Sequence, residues 1–121
     1  MAKEVGISIY FRNNRINIHR RAIYAIGRPQ YIHLLINREK KQIFIQSCKM
    51  DKDAFKVYYQ NNQRNAINCY LNSKWLIRHF ADLLGVSYTA ESMYFPGIIL
   101  SDGCTMFVDL NHYEVIPHNL A

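Results

Sequence analysis

Carboxylates are almost missing from the first half of this 121-residue chain. Residues 1–50 hold ten Lys/Arg against Glu4 and Glu39, a net +8, whereas residues 51–121 hold five against seven, a net −2. Cysteine is equally sparse. Cys48, Cys69 and Cys104 are far apart and odd in number, with no C-x-x-C pair, and the five histidines fall at neither H-E-x-x-H nor zinc-finger spacing. That excludes a disulfide framework and a recognisable metal motif, and three reduced structural thiols with no metal and no cofactor are expected. No apolar run approaches the roughly 18 residues that cross a bilayer, and MAKEVGISIY has no apolar segment of secretory length behind its lysine. A cytoplasmic protein with no membrane partner is expected. There is no G-x-x-x-x-G-K-[ST] loop, no G-x-S-x-G elbow and no carboxylate pair on one recognisable element, so catalysis is not expected either.

What is present is globular. Apolar residues make up 50% of the chain and charged residues 20%, which is the balance of a packed core rather than of disorder. The length suits one domain, residues 1–121. In VGISIYF, Val5, Ile7, Ile9 and Phe11 alternate as on a half-buried strand. The turn RNN and the strand RINIH complete a hairpin whose polar side carries Arg12, Arg15 and Asn17. RRAIYAIG reads as about two helical turns ended by Gly27, with Pro29 as a stop. YIHLLINREKKQIFIQS is a second hairpin, rich in Ile and Leu and expected to be the most buried pair of this half. AFKVYY and AINCYL are further strands on either side of QNNQRN, the expected mobile loop.

Asn72 is a suitable cap for a helix near residues 73–84. Its apolar positions Trp75, Leu76, His79, Phe80, Leu83 and Leu84 form one broad face, with Trp75, Phe80 and Leu83 as the expected anchor. Lys74, Arg78 and Asp82 fall opposite. The stretch SYTAESMYFPGIILSDGCTMFVDL reads as strands around FPG and SDGC, followed by a weakly patterned arm, NHYEVIPHNLA. The fold class is therefore α+β and strand-dominated, with one longer helix. The two halves run in the same order, strand, turn, strand, helix ending in Gly, strand pair. Tandem β-β-α-β-β modules over 5–50 and 54–112, related by a pseudo-two-fold axis, are expected.

The densest chemistry is YFRNNRINIHRRAIYAIGRP, residues 10–29, with five arginines and no acidic residue. The guanidinium's planar fork suits phosphates and base edges, and a field of one sign draws in anions. Candidate nucleic-acid contacts are Arg12, Asn13, Arg15, Asn17, Arg20, Arg21 and Arg28. The plain alternative is solvated surface charge. Nine tyrosines, Tyr10, Tyr24 and Tyr31 among basic residues and Tyr58, Tyr59 and Tyr70 around the Asn-rich loop, also admit stacking on unpaired bases. Tyrosines that merely pack with the hydroxyl at the rim are the competing reading.

From Arg15, R-I-N-I-H-R-R-A-I-Y-A-I-G resembles the arginine, two apolar strands, short helix and Gly of the AbrB/SpoVT/MraZ-type swapped-hairpin DNA-binding proteins. SDGCTMFVDL resembles the closing hairpin of the duplicated members. Asn14 stands where that family has Gly, His19 where it has Pro, and Ala22 where a larger aliphatic is common. The resemblance implies a β-rich dimeric or pseudo-dimeric fold, a homodimer or its single-chain equivalent. It also implies arginines presented to DNA at positions 12, 15, 20 and 21. The resulting expectation is a nucleic-acid-binding regulator contacting double-stranded DNA through its N-terminal hairpin. The alternative is a small non-enzymatic interaction protein, such as an inhibitor encoded by a mobile element, docking its basic face on an acidic protein.

Overall fold

The computed structural model describes residues 5–61, 67–87 and 91–116. Ten strands and two α-helices follow in the order β1 (Gly6–Tyr10), β2 (Arg15–Ile18), α1 (Arg20–Ala25), β3 (Tyr31–Asn37), β4 (Gln42–Cys48), β5 (Phe55–Lys56), β6 (Tyr58–Asn61), β7 (Ile67–Asn72), α2 (Lys74–Leu84), β8 (Ser92–Ile99), β9 (Thr105–Asp109) and β10 (Glu114–Ile116). The strand-dominated α+β class stands. Hydrogen bonding links the strands as β5-β3-β4-β9-β8-β1-β2-β7-β6, with β10 added beside β8. The two ends of that series, β5 and β6, are separated along the chain only by Val57, whose N–H donates to the Gln30 carbonyl at 2.9 Å. The sheet thus nearly closes on itself.

Alternation decides which side of each strand faces in. Ile7 and Ile9, Ile16 and Ile18, Cys69 and Leu71, Met93 and Phe95 are all buried, as are Ile43 and Ile45, Met106 and Val108 on the other half. A buried Ile or Phe contributes roughly 1.5–3 kcal/mol relative to exposure, so this shared interior holds both halves together. Helix α1 adds Ala22, Ile23 and, just beyond its end, Ile26. Helix α2 adds Leu76, Ile77, Phe80 and Ala81. The buried stripe on α2 is therefore centred one position later than its apolar periodicity suggests, and Trp75, expected to anchor the core, is 66% exposed. Ser73, rather than Asn72, caps α2 by accepting a 3.1 Å hydrogen bond from the Leu76 N–H. Gly85 ends the helix at φ +70°, where a Cβ would be strained.

Two further expectations need correcting. FPG is not a turn, because Phe95, Pro96 and Gly97 run within β8. There the strand changes partners: Gly6 to Ile9 of β1 pair with Pro96 back to Met93, whereas Gly97 to Ile99 pair with β9. The β3–β4 hairpin is also less buried than β1–β2, because the outward side of both strands is partly open to solvent and Leu35 is 53% exposed. The turn reading of SDGC holds, with Gly103 at φ +72° and Asp102 Oδ1 accepting from the N–H groups of Cys104 and Thr105 at 3.0 Å each. The arm supplies β10. Most of QNNQRN lies outside the described residues, β6 continuing only to Asn61.

Candidate nucleic-acid interface

The β1–β2 hairpin turns through one 3-10 turn, Phe11–Asn13, closed by Asn14 at φ +52°. Asparagine tolerates this left-handed backbone better than most residues. The strands pair in the register Ile7↔Ile18, Ser8↔Asn17, Ile9↔Ile16 and Tyr10↔Arg15. Since the isoleucines face the interior, Ser8, Tyr10, Arg15 and Asn17 must face out.

The neighbouring registers extend that outward side across six strands. Tyr58 pairs with Tyr70, Tyr70 with Asn17, Asn17 with Ser8, Ser8 with Tyr94, and Tyr94 with Glu114. Along one end of this row four groups stack in sequence. Lys56 Nζ lies 5.4 Å from the Tyr58 ring centre. The Tyr58 and Tyr70 rings are 5.6 Å apart at 22°. The Arg15 guanidinium carbon sits 4.2 Å from the Tyr70 ring centre. At the other end, Ser8 Oγ and His19 Nε2 share a 3.0 Å hydrogen bond, and the His19 ring rests 4.9 Å from Tyr94. Tyr94 can lie this close because Gly6 has no side chain; a Cβ there would stand 2.9 Å from the Tyr94 ring and 2.4 Å from the Phe95 carbonyl oxygen.

Two polar atoms on this surface are buried without a hydrogen-bond partner, Arg15 Nε and Asn17 Oδ1. Stacking on Tyr70 holds the Arg15 guanidinium, and it leaves the Nε donor unused. Such orphan groups cost roughly 1–3 kcal/mol each when desolvated.

The remaining candidates do not form one patch. Arg12 and Asn13 are exposed at the turn end of the hairpin, near Arg15. Arg20 and Arg21 are exposed at the start of α1, beyond the opposite end of β2. Exposed Arg28, at φ +49°, extends between Tyr24 and Tyr59, 5.5 and 5.6 Å from their rings. The two arginine groups are separated by the length of β2, four residues or about 13 Å. Moreover, β1 and β2 are flanked by β8 and β7, so the hairpin is an interior pair of the sheet and not a projecting ribbon.

The tyrosines divide as well. Tyr58 and Tyr70 spend ring faces on each other and on cations, which leaves Tyr58 its exposed edge for any base. Tyr59 is a packing residue: its hydroxyl donates to the Pro29 carbonyl. Burial, with the Cys69 thiol beside it, pushes its pKa up to about 12 although Arg28 works the other way. Burial raises the Cys69 thiol to about 11 and also raises Cys48, with Asp51 adding to the latter, so neither is poised as a thiolate nucleophile. Among the described residues no three His, Cys, Asp or Glu side chains converge as for a metal, and no helix is long and apolar enough to cross a membrane. The Arg15–Tyr70 contact, between residues 55 positions apart, is the feature sequence reasoning missed; no local pattern could reveal it. No protein-family model matches the chain, and no curated protein or solved structure matches it either.

Proposed function

We propose that the protein is a non-enzymatic, regulatory nucleic-acid-binding protein whose contact surface is the outward side of β6, β7, β2, β1 and β8, and that double-stranded DNA is its ligand. The observation that carries this reading is the stack of Lys56, Tyr58, Tyr70 and Arg15, flanked by exposed arginines at both ends of the β1–β2 hairpin. Arg12 at one end and Arg20, Arg21 and Arg28 at the other suit phosphates on the two sides of one groove, while Arg15 and Asn17 lie between them. The hairpin's place inside the sheet argues against insertion of a two-stranded ribbon; the duplex lies along the face instead.

The tandem-module reading belongs here too. The order β1-β2-α1-β3-β4 is followed by β6-β7-α2-β8-β9, and β2 pairs antiparallel with β7 as β4 does with β9. Those are the neighbour relations a pseudo-two-fold axis would produce, which supports duplication and the likeness to swapped-hairpin proteins.

Fluorescence anisotropy with duplex and single-stranded oligonucleotides at two salt concentrations tests the reading. Duplex binding should weaken with salt, and Arg12→Ala or Arg20→Ala should each lower the salt slope by about one. Absence of binding at low salt to either form would leave the arginines as solvated charge.

A second reading, a protein partner, is favoured by Trp75. Its exposed indole stacks on His79 at 5.4 Å and 8°, and Arg38 Nη1 donates to His79 Nε2 at 2.7 Å. Beneath it is a cavity of about 370 Å³ lined by Leu34, Ile36, Phe55 and Leu76 among others. Exposed Trp beside Arg is the usual composition of a binding anchor. An acidic protein that competes with duplex DNA, with no sequence preference among duplexes, would favour it.

A further inference from the structure

The cavity of about 370 Å³ between α2 and the β3–β5 corner has a simple lining. Its walls are apolar: Leu34 and Ile36 from β3, Phe55 from β5, and Leu76 with the Trp75 indole from the first turn of α2. Leu35 faces outward, so Leu34 and Ile36 face inward, and the cavity is a recess at the border of the core. Among the described residues only two charged side chains line it, Lys52 and Asp53, adjacent in the chain and opposite in sign.

We propose that this cavity binds a free apolar α-amino acid. The side chain of the ligand enters between Leu34, Ile36 and Phe55, its carboxylate meets the Lys52 ammonium, and its ammonium meets the Asp53 carboxylate. Size is the first argument. Small-molecule sites span roughly 300–1,000 Å³, and this one is near the lower end, as a ligand of amino-acid size requires.

Charge is the second. Among the described residues, neither the Lys52 ammonium nor the Asp53 carboxylate has a hydrogen-bond or ion-pair partner, whereas most of their charged neighbours are engaged. Arg38 donates to His79 at 2.7 Å, Asp51 shares a 2.7 Å hydrogen bond with His33, and Lys56 lies against the Tyr58 ring. Lys74, next to Trp75, is exposed and does not line the cavity. A fatty or aryl carboxylate would set its charge against Asp53, and an apolar amine would set its charge against Lys52. A zwitterion satisfies both.

The third argument is that both walls are fixed in advance. Asp51 Oδ1 accepts from the Asp53 N–H at 2.8 Å while its Oδ2 is bonded to His33, so the segment presenting Lys52 and Asp53 is tied to β3. On the other wall Trp75 stacks on His79, which Arg38 holds. Little ordering is left for the ligand to impose.

Trp75 is the only tryptophan of the chain, so its emission reports on the cavity. Titration of the full chain with L-leucine, followed by that emission and by isothermal titration calorimetry, should give saturable binding with half-saturation at or below about 1 mM. 4-Methylpentanoate lacks the ammonium and 3-methylbutylamine lacks the carboxylate; each should bind about tenfold more weakly. Lys52→Met and Asp53→Asn, both at exposed positions, should each weaken leucine about tenfold and leave the melting temperature unchanged. Asp53→Asn should also remove the preference for leucine over 4-methylpentanoate, and Lys52→Met the preference over the amine. Absence of saturable leucine binding, an equal or tighter hold on either analogue, or variants that bind leucine like the parent chain overturns the inference. The inference does not rest on the duplex reading, and because neither Lys52 nor Asp53 belongs to the arginine surface, salt-dependent DNA binding would survive its failure.

Discussion

The two outward faces of one sheet share an interior and differ in almost everything else. Behind both faces the strands bury Ile, Leu, Met, Phe and Val. In front, one row reads Tyr58, Tyr70, Asn17, Ser8, Tyr94 and Glu114, and the other reads Leu35, Phe44, Phe107 and Ile98. Strand β8 belongs to both, contributing Tyr94 to the first and Ile98 to the second on either side of Pro96–Gly97. The core sets the inward positions and leaves the composition of the outward ones to other contacts. Their composition divides the surface into a side rich in tyrosine and arginine and a side that carries a row of apolar residues. Period-two alternation makes that division possible, since alternate residues can be changed without touching the interior.

The largest effect should come from the strand both faces share. Phe95 is fully buried on β8, and Phe95→Ala should cost about 3–5 kcal/mol in urea unfolding. A loss under about 1 kcal/mol would mean that the two halves do not depend on a common core. A smaller effect sharpens the contrast between the faces. Tyr70→Ala removes a ring held between Arg15 and Tyr58 and should cost about 1–2 kcal/mol. Leu35→Ser on the opposite face should change monomer stability by less than about 0.5 kcal/mol, because its side chain is half in water already.

A third comparison concerns the interior that both faces share, through its dependence on alkaline pH. The Tyr59 hydroxyl has a folded pKa of about 12 against an ordinary 10.0, so the folded state keeps its proton after the unfolded state has lost it. Stability is fully present below pH 10 and falls as pH rises from about 10 towards 12. Thermal melts of Tyr59→Phe across that range should be flatter than those of the parent chain.

Local pattern revealed a good deal of this architecture. Alternation in VGISIYF and RINIH predicts the buried isoleucines and the outward placement of Arg15 and Asn17, and Gly85 is where the long helix stops. FPG misled for a physical reason: proline and glycine mark a turn by default, but here they mark the bend at which β8 exchanges β1 for β9. Trp75 misled because the helix periodicity admits a stripe shifted by one position, and only the packing partners of α2 choose between them. The arginine surface was half legible. Composition located the charge, but the separation of Arg12 from Arg20 and Arg21, and the seat of Arg15 on Tyr70, depend on pairings between distant segments.

The partner exchange in β8 has a consequence for how the molecule is made. Ile7 pairs with Phe95, 88 positions later in the chain. During synthesis the first hairpin therefore emerges with both edges open: β2 waits for β7, and β1 for β8. The whole sheet can assemble only after most of the chain has been released. Pairings this remote in sequence bear a high loop-closure entropy, which places refolding on the millisecond-to-second scale rather than in microseconds. Until then the earliest-made strands, with their isoleucine side uncovered, are the part of the chain most in need of a chaperone.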